Sequence, residues 1–440
     1  MMRRTGIMML TAIAAVITLA TTAATSAPSF DWKKYSGTTL NFLADDNPVG
    51  VLLKKHAPEF TAQTGIRVNV LLFSEQQFRQ RLTTILQAKS DQVDVFMSLV
   101  SLEGLLYRRA GWYADLNPLV HDASQTAPDY DFSDFGAGVA RSSVVNGQLT
   151  GIPVNIEGPV LYYRKDVLAK CGLTAPKTLS HIETVAAALK KCVPNMVPFA
   201  SRGLAPALPY TFSNFLHNFG GVYLTGAGRS ALSTPPTLKA ITYYVTLLKE
   251  YGPPGVVNYS FPQLTALYGN GQAVMSFESS NEFGKVVAAP ERAQDTGVTV
   301  LPPGPAGSFP TVIGWELSVS TFSAHKDAAW YFLQWATGRQ MEVTLGLEGL
   351  APPRTSPWTA PVFAKWLGAL PVRREWAEAL ATLSRTGTGQ VGPNMLLQPQ
   401  ARQIIGNAVD SVILGQATPQ AAASSADQQI DKLIQQSEAK

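Results

Sequence analysis

The chain has 440 residues, 46% of them hydrophobic and 15% charged, with a formal net charge of +4 at pH 7. One core rarely grows past about 250–300 residues, so this length calls for two or more domains, and the composition excludes a disordered chain. Lys and Arg are scattered without a basic block, which excludes the electrostatic footprint of a nucleic-acid binder.

The N-terminus reads "MMRRTGIMMLTAIAAVITLATTAATSAPSF". Arg3 and Arg4 form a basic start, Ile7 to Leu19 an apolar middle, and Ala20 to Ala27 a small-residue tail. That pattern predicts a secretory signal peptide over residues 1–26, too short for a membrane span. No later run approaches the length of a span, and the leader has no Cys for a lipid anchor. The expectation is therefore a free exported protein, most simply periplasmic.

"TTLNFLADDNP" predicts a strand that stops at Asp45-Asp46-Asn47-Pro48. A helix with Leu52, Leu53, His56 and Phe60 on one face follows and ends at Gly65. "IRVNVLLF" is a second strand, "SEQQFRQRLTTILQA" a helix opening on a Ser74 cap, and "VDVFMSL" a third strand. This β-α-β-α-β order demands a mostly parallel sheet covered by helices.

After more helix and the turn "VNGQLTG" comes "GIPVNIEGPVLYYRKD", residues 151–166. Glu157 stands in the middle of an apolar passage, where a desolvated carboxylate is costly without a partner. It either pairs internally, with Arg164 or Lys165, or faces a polar ligand. Cys171 and Cys192, the only cysteines, flank the helical stretch Leu179–Lys190. In an oxidising compartment a disulfide between them is expected to stabilise by about 3 kcal/mol; two buried free thiols are the alternative. Neither has a neighbouring His, so no metal site is expected.

A second α/β set follows. "TLKAITYYVTLLKEYGPPG" is a long helix, "ALYGNGQAVMSFESS" a helix end, turn and buried strand, and "TGVTVLPPGPAGSFPTVIGWELSVS" two strands around a Pro/Gly loop. "KDAAWYFLQWAT" and the last 40 or so residues are helical by periodicity. "GAGRSA" at 226–231 imitates a dinucleotide loop but lacks a strand before it, so it reads as a plain loop. There is no G-x-x-x-x-G-K-[ST], H-E-x-x-H or G-x-S-x-G, and the five histidines are scattered. No catalytic centre and no cofactor are expected.

The collinear segments "PEFTAQTGIRVNV", "VDVFMS", "RRAGWYADLNPL", "NGQLTGIPVNIEGPVLYYRKDVL", "GVTVLPPG" and "LAPPRTS" make the chain resemble the solute-binding proteins of bacterial ABC sugar importers, which include maltose-binding protein. Asp46-Asn47-Pro48, "EQQFRQRLTT" and "YYVTLLKEYGPPG" are most similar to the branch that binds sugar alcohols. The resemblance implies an α/β fold of two lobes joined by hinge strands. The N-terminal lobe would take residues 30–156 and 314–350, and the C-terminal lobe 157–313 and 351–440. The chain would cross near Ile156, Ile313 and Leu350.

Ligand would lie in the cleft, with Glu157 at the first crossing accepting hydroxyl hydrogen bonds. Strand-end positions add Asp45, Asp46, Asn47, Glu75 and Ser98 as candidates, though Glu75 also reads as support for a helix start. The resemblance adds Tyr210 and Trp315 as rings stacking on the sugar, Glu278 and Asn281 where contacts cluster, and Arg354, which either meets a hydroxyl or braces the third crossing. "NMLLQPQARQ" lacks the tryptophan with which the maltose binder stacks sugar, which favours a small ligand. The expected function is capture of a monosaccharide or sugar alcohol by a monomer, without catalysis, and its delivery to an ABC permease. The sequence leaves two alternatives. One is a secreted carbohydrate-active enzyme using Glu157 and a second carboxylate. The other is the same fold carrying a non-sugar solute.

Overall fold

Strand β1 (Thr39–Asp45) is apolar enough to be a central strand, and it is one: Phe42, Leu43 and Ala44 are buried. This computed structural model describes residues 30–438, so the signal peptide expected over 1–26 lies outside the described residues. β1 pairs in parallel with β2 (Arg67–Phe73) and β3 (Val95–Ser98). The helices Pro48–Thr64 and Glu75–Gln87 make the two crossover connections. Gly65 ends the first of these at φ 75°, a left-handed position that suits glycine. Ser74 does hold the N-cap position of the second, but its hydroxyl makes no capping bond. The acidic Glu75 in the first turn complements the helix dipole instead.

Val144–Val145 (β4) and Gln148–Leu149 (β5) form a hairpin around Asn146 and Gly147, both at positive φ. Next comes β6 (Ile152–Pro153). The second lobe holds β7 (Pro159–Arg164), β8 (Val197–Ala200), β9 (Ala273–Ser279) and β10 (Thr296–Thr299) in the order β10-β7-β9-β8. β9 is buried along its whole length, as a strand covered on both faces must be. β11 (Glu316–Val319) then returns to the first sheet, whose order is β2-β1-β3-β11-β6. β11 runs antiparallel to both its neighbours, so only the β2-β1-β3 half of that sheet is parallel.

One core lies around Phe42, Phe60, Phe96 and Phe332 in the first lobe. Two more cover the faces of the second sheet. Phe199, Phe215, Tyr244, Phe277, Ile405 and Ile430 form the first, drawing in the helices Pro235–Tyr251, Gln398–Ile413 and Pro419–Glu438. Tyr162, Phe283, Trp376 and Leu383 form the second. Cys171 and Cys192 are disulfide-bonded, with Cα atoms 6.0 Å apart.

Three segments join the lobes and are laced to one another. Val154 N donates to Trp315 O at 2.9 Å, Ile156 N to Ala351 O at 2.9 Å, and Glu157 and Ile313 exchange both backbone bonds at 2.8 Å. The strands are so close that a Cβ on Gly158 would lie 2.3 Å from Thr311 O, and one on Gly314 2.4 Å from Asn155 O. Glycine is the residue that permits such backbone approach. The lobes also meet beside the third crossing, where a Cβ on Gly349 would lie 2.9 Å from Gly284 N.

Candidate ligand-binding cleft

Asp45 closes β1, and Asn47 caps the following helix by accepting from Gly50 N at 3.2 Å. The Asn47 amide donates to Asp45 Oδ2 at 3.2 Å, which leaves Asp45 Oδ1 buried without a partner. Burial first, and then the nearby Glu75 carboxylate, push the Asp45 carboxyl well above its ordinary range. Glu75 accepts from Arg79 Nη2 at 3.1 Å, and Arg79 also donates to Glu103 at 2.6 Å. Burial opposes ionisation of Glu75, but Arg79, Arg202 and Arg402 together hold its carboxyl below the ordinary value.

Glu157 sits in the first crossing at 5% exposure. Its Oε2 accepts from the Tyr210 hydroxyl at 3.3 Å and from the Ser279 hydroxyl. Burial pushes its carboxyl up to about 7 against those hydrogen bonds. The internal ion pair weighed above does not form. Arg164 binds Asp166 at 2.7 Å, and Lys165 reaches Glu375 at 2.5 Å. Trp315, in the second crossing, lies beneath the Arg79 guanidinium, 5.4 Å from the ring centroid.

These groups line one small cavity between the lobes. Its volume is about 40 Å³. Of the expected residues it brings together Asp45, Asn47, Glu75, Glu157, Tyr210, Asn281 and Trp315. It also contains Arg202, Phe261, Glu282 and Arg402, which were not anticipated. Arg202 follows β8 and lies 4.2 Å over the Tyr210 ring; its Nε is 2.9 Å from both oxygens of Glu278. Arg402 is a buried guanidinium bonded to carbonyls only, to Val391 O at 2.7 Å and Pro206 O at 3.1 Å. Lacking a bonded carboxylate, it is pulled down by burial to about 10. Burial likewise pushes Glu282 up to about 7. A strand-end arginine such as Arg202 was findable by the rule that flagged Ser98. Arg402 sits in an amphipathic helix and carries no such signal.

Four expected residues lie elsewhere. Asp46 points to solvent, because the chain turns from strand to helix at that residue. Ser98 is fully buried, its hydroxyl 2.6 Å from that of Tyr113, so the third strand ends inside the core. Glu278 lies behind the cavity wall, its carboxylate taken up by Arg202 and by Ser279 N. Arg354 is 1% exposed and braces the first lobe, donating to Thr337 O at 2.6 Å and Asp131 O at 2.8 Å. Bracing was the alternative weighed for it.

A family model for the bacterial extracellular solute-binding proteins matches residues 44–342. The chain belongs to that family. Similar relatives of this solute-binding protein include an erythritol/L-threitol-binding protein of Mycolicibacterium smegmatis, 30% identical over 71% of this chain and 69% of the relative. A mannitol-binding protein of Pseudomonas aeruginosa is 28% identical over 72% of each chain. Among solved structures, an ABC transporter solute-binding protein of Agrobacterium radiobacter in complex with ribitol superposes with a TM-score of 0.80. It is 25% identical and covers 90% of this chain and 99% of that one. The two-lobed architecture is therefore that of known solute-binding proteins.

Proposed function

We propose that this solute-binding protein is the periplasmic component of an ABC importer and captures a small sugar alcohol for a membrane permease. The observation that carries this reading is the pair of carboxyls, Asp45 from the first lobe and Glu157 from the crossing, beside aromatic rings in one small cavity. A polyol offers many O–H donors to such acceptors, and its C–H faces suit Trp315 and Tyr210. The small volume of the cavity disfavours an oligosaccharide. The named ligands of the relatives, erythritol, threitol, mannitol and ribitol, point the same way. The leader pattern supports export, and the lack of a catalytic motif supports binding without turnover.

Calorimetry of the mature protein against erythritol, L-threitol, ribitol, mannitol and maltose tests the reading. Saturable binding of at least one polyol, with maltose inert, is the expected result. Tight binding of maltose alone, or of no polyol, would overturn it. Mass spectrometry of the released ligand separates the enzyme alternative, which requires a changed sugar.

A further inference from the structure

The three crossings have a second face. Opposite the cleft they wall a cavity of about 510 Å³, against about 40 Å³ in the cleft. Val139, Ile156, Val312, Pro352 and Trp358 give it a mainly apolar wall. Three of its lining side chains carry buried polar atoms without a partner: Glu316 Oε2, Ser101 Oγ and Arg354 Nη2. Glu316 itself is 3% exposed. Buried polar atoms are nearly always bonded, and each orphan calls for an explanation.

We propose that this hinge-face cavity is a second ligand site, taking a small apolar molecule that carries one hydroxyl group, an alcohol or a phenol, with the hydroxyl bonded to Glu316. Burial pushes the Glu316 carboxyl up to about 8 against a hydrogen bond with the Ser143 hydroxyl, so at neutral pH it keeps its proton and can both donate and accept. That suits a neutral hydroxyl better than a cation. The site is coupled to the cleft through shared walls. Ile313 lines both cavities, and Asn155, on the hinge side, donates its side-chain amide to Oδ1 of the cleft residue Asn281 at 2.9 Å. A rotation that parts the lobes at the cleft narrows the opposite side. An occupant of the hinge cavity therefore favours the closed arrangement, and the two ligands strengthen each other's binding reciprocally.

The test is titration of the mature protein with benzyl alcohol and with toluene, followed by calorimetry and by methyl NMR. Benzyl alcohol should bind about tenfold more tightly than toluene, the worth of one hydrogen bond. Contacts from its ring to the Ile156 and Ile313 methyl groups should appear. Glu316→Leu should erase the difference between the two probes. Gly138→Phe should block both, since a Cβ there meets nothing within 4 Å and the ring has room to fill the cavity. If that variant fails to fold, Ser142→Trp fills the same space from an exposed helix position. No saturable binding to the wild type, or ring contacts elsewhere, would overturn the site. Tighter binding of toluene than of benzyl alcohol would overturn the role of Glu316.

Discussion

Glu157 is the side chain on which most of the cleft chemistry turns. Replacing it by Gln removes a charged acceptor but keeps the shape, so affinity for the polyol should fall by roughly 1.5–3 kcal/mol, about 10- to 150-fold. Calorimetry on wild type and Glu157→Gln reads this directly; unchanged affinity would remove Glu157 from the site. Its titration gives a second, independent prediction. The folded-state value is about 7 against an ordinary 4.5, so the unfolded chain ionises first. Free protein should therefore lose stability as pH rises from about 4.5 through 7, on the order of 3 kcal/mol from this group alone. Polyol hydroxyls prefer the ionised form, so affinity should move oppositely and rise between about pH 6 and 8. Melting temperature and affinity measured on the same samples test both signs, and Glu157→Gln should flatten both slopes. Much of this site could be seen beforehand because a lone carboxylate in an apolar run is a local anomaly. Arg402 could not, since its helix periodicity is ordinary and only the folded contact shows what it faces. Ser98 and Glu278 misled for a related reason. A strand-end position says where a ligand can lie, but not whether Tyr113 or Arg202 has already claimed the side chain.

At the scale of elements, the first three strands and their two helices were legible because each carries its own period and its own punctuation, as at Asn47-Pro48 and Gly65. β6 was harder, being two residues long and defined by pairing with β11, which lies far along the chain. The mixed direction of the first sheet has the same origin: nothing within "WELSVS" says that it runs against β3. The disulfide belongs to this scale too. It ties the helix Lys165–Lys170 to the end of Leu179–Cys192 across a separation of 21 residues. Reduction should lower stability by about 3 kcal/mol while leaving polyol affinity unchanged, because neither cysteine lines the cleft. Chemical unfolding with and without reductant measures the first, and calorimetry on the reduced protein the second. A loss of affinity on reduction would mean that the bond shapes the cavity.

For the whole molecule, the decisive geometry is that one cavity draws walls from both lobes and from the crossings between them. Ligand can contact all of them only when the lobes are together, so binding shifts an open–closed equilibrium. X-ray scattering should show a smaller radius of gyration with saturating polyol, and Glu157→Gln at the same free ligand concentration should show less of the change. An identical radius with and without ligand would exclude closure. Two lobes could be expected from length alone, but their boundaries came from the resemblance. Composition does not change near Ile156, Ile313 and Leu350, the crossings that the resemblance implies.

The position of β11 carries a consequence for how the protein is made. It lies inside the first sheet, between β3 and β6, yet it follows them after the entire second sheet has been synthesised. The first lobe therefore cannot close its sheet while its own N-terminal half emerges; it must wait for a strand that arrives some 200 residues later. Such long-range pairing makes folding slow. If the chain is exported as proposed, that slowness would keep the polypeptide threadable until it has crossed the membrane. A fragment ending before residue 313 should remain unfolded in its first lobe, with the second lobe lacking its C-terminal helices as well.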